Sequence, residues 1–123
     1  DIDYFKTIND THGHALGDKV LQQVMHELSK NLRSKDTLIR WGGDEILIVL
    51  PSIKLDSALK MADRLRTVIE SCKFPMIEEV TMSFGVVTWK RKELKTSVLR
   101  RADEQLYLAK ANGRNCISPH SVP

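Results

Sequence analysis

Two pairs of carboxylates stand at spacings that could serve a hard cation. The first lies in Arg40-Trp41-Gly42-Gly43-Asp44-Glu45, which runs directly into the apolar stretch Ile46-Leu47-Ile48-Val49. Glycines between two strand-like runs predict a tight hairpin, and without a Cβ they let another molecule lie against the backbone. Asp44 and Glu45 at its tip hold like charges close together, an arrangement relieved by water, a cation or a proton. The second pair is Asp1 and Asp3, which share a face if the segment is extended. Mg²⁺ prefers carboxylate and carbonyl oxygens and commonly takes one or two carboxylates plus substrate phosphates. A D-x-D at a strand end and a D-E at a hairpin tip can converge on one such ion. Lys6 and the backbone N–H groups around it would then hold phosphates. Either acidic pair alone is common in solvated loops; together they point to metal-assisted phosphate chemistry.

The elements that must position these groups follow from hydrophobic periodicity. Val20, Leu21, Val24, Met25, Leu28 and Leu32 predict a helix over Leu16–Leu32, with Asp18 in a first turn that suits an anion. Strands are expected at Thr37–Trp41 and Ile46–Leu50, and Pro51 ends the second. A second helix is expected over Leu55–Cys72. Val80–Trp89 reads as a strand, with Gly85 as a bulge position. A third helix is expected over Ser97–Ala111, stopped by Gly113, and a short strand within Asn115–Ser118. With one strand ending at Asp1, the order is β-α-β-β-α-β. That predicts an α+β, ferredoxin-like antiparallel sheet with helices packed on it, as in polymerase palms. Residues 1–118 form the domain, and 119–123 read as a loose tail or the start of a linker.

Composition sets outer bounds. A chain of 123 residues, 41% hydrophobic and 28% charged, suits one globular domain with its own core. The longest apolar run, Ile46–Leu50, is too short to span a bilayer, and no leader pattern is visible. Cys72 and Cys116 lack metal-ligand spacing and are expected reduced and buried, as in the cytoplasm. A net charge of +3 suits anionic ligands without requiring nucleic acid. The first residue, Asp1, already belongs to the acidic cluster, which reads as a segment of a longer polypeptide.

With these elements in place, the chain resembles the GGDEF domain family, the diguanylate cyclases. The resemblance rests on Asp1-Ile2-Asp3-Tyr4-Phe5-Lys6, Ile8-Asn9-Asp10, Gly13-His14, Gly17-Asp18, Arg40 through Glu45, Leu50-Pro51, Thr81 through Gly85, Arg101-Ala102-Asp103, Leu106-Tyr107, Ala109-Lys110 and Gly113-Arg114-Asn115. The family's first helix and the strand before Asp1 are not part of the chain. Such domains condense two GTP into cyclic di-GMP and release two pyrophosphates. The resemblance implies that Asp1, the main-chain carbonyl of Ile2, and Asp44 or Glu45 hold Mg²⁺, with Mn²⁺ the alternative. Two-metal sites of this kind place their ions roughly 3.5–4 Å apart. One of Asp44 and Glu45 would help deprotonate the ribose 3′-hydroxyl. Phe5, Lys6, Lys110 and Arg114 would meet the triphosphate. Asn9 and Asp18 would read the guanine edge, and Gly42 and Gly43 would let the nucleotide approach. The family acts as a homodimer with one GTP per half-site, under an upstream regulatory domain. It is also similar to the family at Arg33-Ser34-Lys35-Asp36, the R-x-x-D site where cyclic di-GMP binds as an inhibitory product, with Arg64 as the further arginine. Such a domain is cytoplasmic, alone or as part of a membrane-bound protein.

One departure is Ile46, where the family has Phe. It is expected to pack under the hairpin, and being smaller it could let the tip shift. It supports the alternative of a catalytically inactive module that senses GTP or cyclic di-GMP. A nucleotidyl-transfer palm acting on nucleic acid is disfavoured by the modest charge. Other features have plainer readings. His12 and His14 flank a structural turn, and His26 is a polar helix position. Arg40 is an ion-pair partner, and Arg100-Arg101 a solvated face. Trp89-Lys90-Arg91-Lys92 is a solvated strand end rather than a nucleic-acid contact, and no membrane contact is expected from this segment.

Overall fold

A computed structural model describes residues 1–119. Its elements are α1 (Phe5–His12), α2 (His14–Lys30), β1 (Thr37–Gly42), β2 (Glu45–Val49), α3 (Leu55–Ser71), β3 (Phe84–Gly85), α4 (Lys95–Ala111) and β4 (Ile117–Ser118). The main core gathers Val20, Val24 and Leu28 of α2 with Leu65 and Ile69 of α3. Ile2, Phe5 and Met82 close it beneath the acidic residues. Leu59, Ala62 and Ile117 form a smaller cluster between α3 and β4.

The α+β class is as expected, and the helices of the mid and late chain match their periodicity. Helix α1 was not anticipated. Only Phe5 and Ile8 of it are buried, and Thr7, Asn9 and Asp10 are weak helix formers, so its eight residues carry little periodic signal. Gly13, at φ 89°, ends α1 and starts α2, a turn that favours glycine. This agrees with the turn reading of the Gly13-His14 pair; His12, His14 and His26 are exposed.

The strand expected over Val80–Trp89 is cut short. Residues 81–83 run antiparallel to 1–3, with Asp3 N–H donating to the Thr81 carbonyl (2.9 Å) and Ser83 N–H to that of Asp1 (3.0 Å). On the other side β3 pairs with β4, in parallel. Beyond Val86 no backbone partner continues the ladder among the described residues. The segment is thus central where it is paired and irregular after it. Gly85 is not a bulge: a Cβ there would lie 2.4 Å from both the Ala102 carbonyl oxygen and the Leu106 nitrogen. Glycine lets α4 press its backbone onto the strand.

Of the tail expected over 119–123, residues 120–123 lie outside those described. Cys72 and Cys116 are free thiols and half-buried rather than fully buried.

Candidate active site

The hairpin forms as its glycines require. β1 and β2 pair antiparallel from Thr37↔Val49 to Gly42↔Glu45, with an irregularity between Arg40 and Gly42. Gly43 sits at φ 34°, and Arg40 Nε donates to its carbonyl oxygen at 3.0 Å. Arg40 therefore braces the tip rather than joining an ion pair. A Cβ at Gly42 or Gly43 would meet nothing within 4 Å, so the flank of the tip is open. Ile46 is half-buried against the main core.

The tip comes to residues 1–3. Ile2 N–H donates to the Asp44 carbonyl at 3.4 Å. Asp1 is 8% exposed, and its Oδ1 is buried without a hydrogen-bond partner. Its Oδ2 accepts from the Lys110 ammonium, which reaches over from the last turn of α4. The backbone bond from Ile2 to the tip thus brings the two acidic segments together.

Asp3 departs from the shared-face expectation. Its Oδ2 accepts from Thr81 Oγ1 (2.7 Å) and from Asn115 N–H (2.9 Å), and its Oδ1 from Ser83 Oγ (2.6 Å). With both oxygens so engaged, Asp3 acts as a structural tie. The tie holds the turn carrying Arg114 and Asn115, both at positive φ. It leaves the Arg114 guanidinium stacked 4.6 Å from the centre of the Tyr4 ring.

Phe5 and Lys6 open α1, whose first turn has no side-chain cap. Uncapped N–H groups at a helix start favour an anion. Phe5 is buried and Lys6 exposed. Asn9 lies later on α1 with a buried, unpartnered Oδ1. That oxygen would be 1.8 Å from a Cβ at Gly17, so glycine is what lets the Asn9 amide rest against α2. Asp18 follows Gly17 and is exposed.

Arg33 and Asp36 pair closely in the turn after α2. Arg33 Nη2 lies 2.7 Å and Nε 3.0 Å from Asp36 Oδ1, and Arg33 N–H donates to Oδ2 at 2.7 Å. The guanidinium holds the Asp36 carboxyl below its usual range. Arg64, from α3, donates to the Asn31 carbonyl at 2.6 Å, two residues from Arg33.

Among the described residues no three acidic, histidine or cysteine side chains form a ready cation cage. The donors near the tip are two to three carboxylates and the Ile2 carbonyl, to which no turn or loop N–H donates. An all-oxygen set with one buried orphaned carboxylate oxygen suits a hard divalent ion that keeps water or phosphate ligands. Sequence reasoning missed the Asp3 tie, the Gly17–Asn9 contact and the Lys110–Asp1 pair. The alternation of Thr81 and Ser83 was a faint signal for the first; the other two join distant segments.

A model of the family described as "Diguanylate cyclase, GGDEF domain" matches residues 1–116. The chain belongs to the GGDEF domain family. It is 42% identical to diguanylate cyclase DgcP of Pseudomonas aeruginosa, over 94% of this chain and 18% of that protein. It is 40% identical to response regulator PleD of Caulobacter vibrioides, over 95% of this chain and 27% of that protein. The chain thus spans about a quarter or less of these relatives. Among solved structures it is similar to the active GGEEF domain of a diguanylate cyclase from Vibrio cholerae, at TM-score 0.86 and 33% identity, covering 95% of this chain and 77% of that one. It is also similar to the GGDEF domain of DgcB from Caulobacter crescentus in complex with c-di-GMP, at TM-score 0.82 and 28% identity, covering 94% and 71%. The GGDEF fold is therefore that of the whole described domain, and the family's enzymes are nucleotidyltransferase-type cyclases.

Proposed function

We propose that this GGDEF domain condenses two GTP into cyclic di-GMP with release of two pyrophosphates. The observation that carries the reading is the buried, half-satisfied Asp1 carboxylate beside the tip that bears Asp44 and Glu45. Every polar position implied for the reaction is filled: Asp1, Lys6, Asn9, Asp18, Asp44, Glu45, Lys110 and Arg114. Asp1, the Ile2 carbonyl and Asp44 or Glu45 would hold Mg²⁺ or Mn²⁺, which when bound neutralises triphosphate charge. The first-turn N–H groups of Phe5 and Lys6, with Lys110 and Arg114, orient the phosphates. Asn9 and Asp18 select guanine, because a carboxylate can accept from N1–H and the 2-amino group together. One of Asp44 and Glu45 takes the proton of the 3′-hydroxyl. That oxygen bonds to the α-phosphorus of the second GTP as the bond to pyrophosphate breaks. Positioning and charge neutralisation do most of the work.

Each domain presents one half-site, so turnover requires a homodimer, placed in the cytoplasm where GTP is found and controlled by an upstream regulatory region. Arg33, Asp36 and Arg64 form the site for inhibitory cyclic di-GMP; the convergence of Arg64 on the Arg33 turn supports this. Ile46 supports one other reading, a non-catalytic sensor of GTP or cyclic di-GMP.

The deciding experiment is chromatographic assay of GTP turnover with Mg²⁺ on protein that includes the upstream strand, with Glu45→Gln alongside. Cyclic di-GMP from the unaltered protein and a loss of at least about 100-fold in the variant are expected. No product from a dimer that still binds GTP would favour the sensor.

A further inference from the structure

The Lys110–Asp1 pair has a consequence for how the site takes up its ion. Asp1 is almost fully buried, with its side chain 5% exposed, while that of Lys110 is 35% exposed. A buried carboxylate with no counter-charge is strongly disfavoured. Here one oxygen is met by the Lys110 ammonium and the other by nothing. Lys110 comes from α4, 109 residues away in sequence, on a long stem that can swing. Asp1 itself is pinned by its backbone to the 81–83 segment and cannot follow.

We propose that Lys110 is a movable counter-ion: without a metal it neutralises Asp1, and a divalent cation takes the carboxylate only by displacing it. This rests on the cyclase reading of the acidic site, and adds that Lys110 and the metal are competitors for Asp1. The displaced ammonium is then free to meet an anion that arrives with the metal. Lys110 therefore sets the metal affinity of the nucleotide-free protein. It lets the buried acid remain charged in the fold while discouraging metal uptake before nucleotide is present. If Lys110 instead held Asp1 in place for the metal, the sign would be opposite, because losing it would weaken the metal site.

The test is Mn²⁺ binding without nucleotide, followed by electron paramagnetic resonance of the free ion, on the unaltered protein, Lys110→Met and Lys110→Arg. Lys110→Met should bind Mn²⁺ about two- to fivefold more tightly, as expected on removing a partly exposed ionic competitor. Lys110→Arg, which keeps the charge, should not gain. Equal or weaker binding by Lys110→Met overturns the inference while leaving the metal site standing. No Mn²⁺ binding by either the unaltered protein or Lys110→Met overturns the metal-site reading itself, and the inference with it. A second measurement needs no variant: the rate of acetylation of Lys110 in the unaltered protein, read by mass spectrometry. Mn²⁺ should raise it severalfold by freeing the amine, and an unchanged or lower rate overturns the displacement.

Discussion

Asp1 and Asp3 differ in fate although their spacing is that of a shared face. One has an unsatisfied oxygen and the other accepts three hydrogen bonds. The difference lies in which donors the surrounding segments bring, since Thr81, Ser83 and Asn115 all converge on Asp3. Arg33 and Asp36 present the same lesson at the proposed product site. Their i,i+3 spacing alone would suggest a helix-surface pair, but they close a turn beside Pro51, whose carbonyl accepts from Arg33 at 2.9 Å. Arg33→Ala should therefore relieve inhibition by added cyclic di-GMP while leaving the initial rate within about twofold, because Arg33 lies outside the acidic site. Progress curves with and without added product check this, and unchanged inhibition would remove the site assignment.

At the scale of elements, α4 is the part that ties the molecule together, and glycine and a buried carboxylate fix its position. Gly85→Ala should destabilise the domain by about 1–3 kcal/mol, since backbone atoms of α4 leave no room for the added carbon. Denaturant unfolding would measure the loss; an unchanged midpoint would mean that α4 can move away at little cost. At the other end of α4, Arg101 is not the solvated residue that Arg100 is. It donates to Glu93 through Nε (2.8 Å) and Nη2 (2.6 Å), and Ser97 Oγ donates to Glu93 at 2.8 Å. Trp89 Nε1 adds a bond to the Glu93 carbonyl at 3.0 Å, which folds the exposed Lys90-Arg91-Lys92 loop back on the helix. The Arg101 guanidinium holds the Glu93 carboxyl down to about 2 from 4.5. A depressed carboxylate stabilises the fold above its unfolded pKa, so this contribution is complete above pH 4.5 and is lost as pH falls toward 2. The melting temperature of Glu93→Gln should lie below that of the unaltered protein at neutral pH, and the gap should narrow on acidification through that window. A gap independent of pH would assign the effect to packing.

Under the proposed cyclase reading each domain supplies one half-site, and in-line attack by one nucleotide on another would then require a second copy. Activity should rise more steeply than protein concentration through the dimerisation range, with initial rates measured alongside sedimentation. Strict proportionality would count against the dimer mechanism. No helix among the described residues is long and apolar enough to cross a membrane.

The sequence by itself determined the α+β class, the hairpin, three of the helices and the family, because hydrophobic periodicity and ordered short motifs are local properties. It also named the residues expected at the site, from the short motifs in which they stand. Tertiary structure alone decided what those residues touch. Lys110 meets Asp1 across 109 positions, Asn115 meets Asp3 across 112, and Gly17 yields room to Asn9 where two helices cross. The short helix α1 became visible only in its packing, since two buried side chains are too few to announce a period. The strand after Val80 ended where its backbone partners ended, not where its β-branched residues did. Propensity is set along the chain, but hydrogen-bond satisfaction and charge pairing are set by whatever the fold brings alongside.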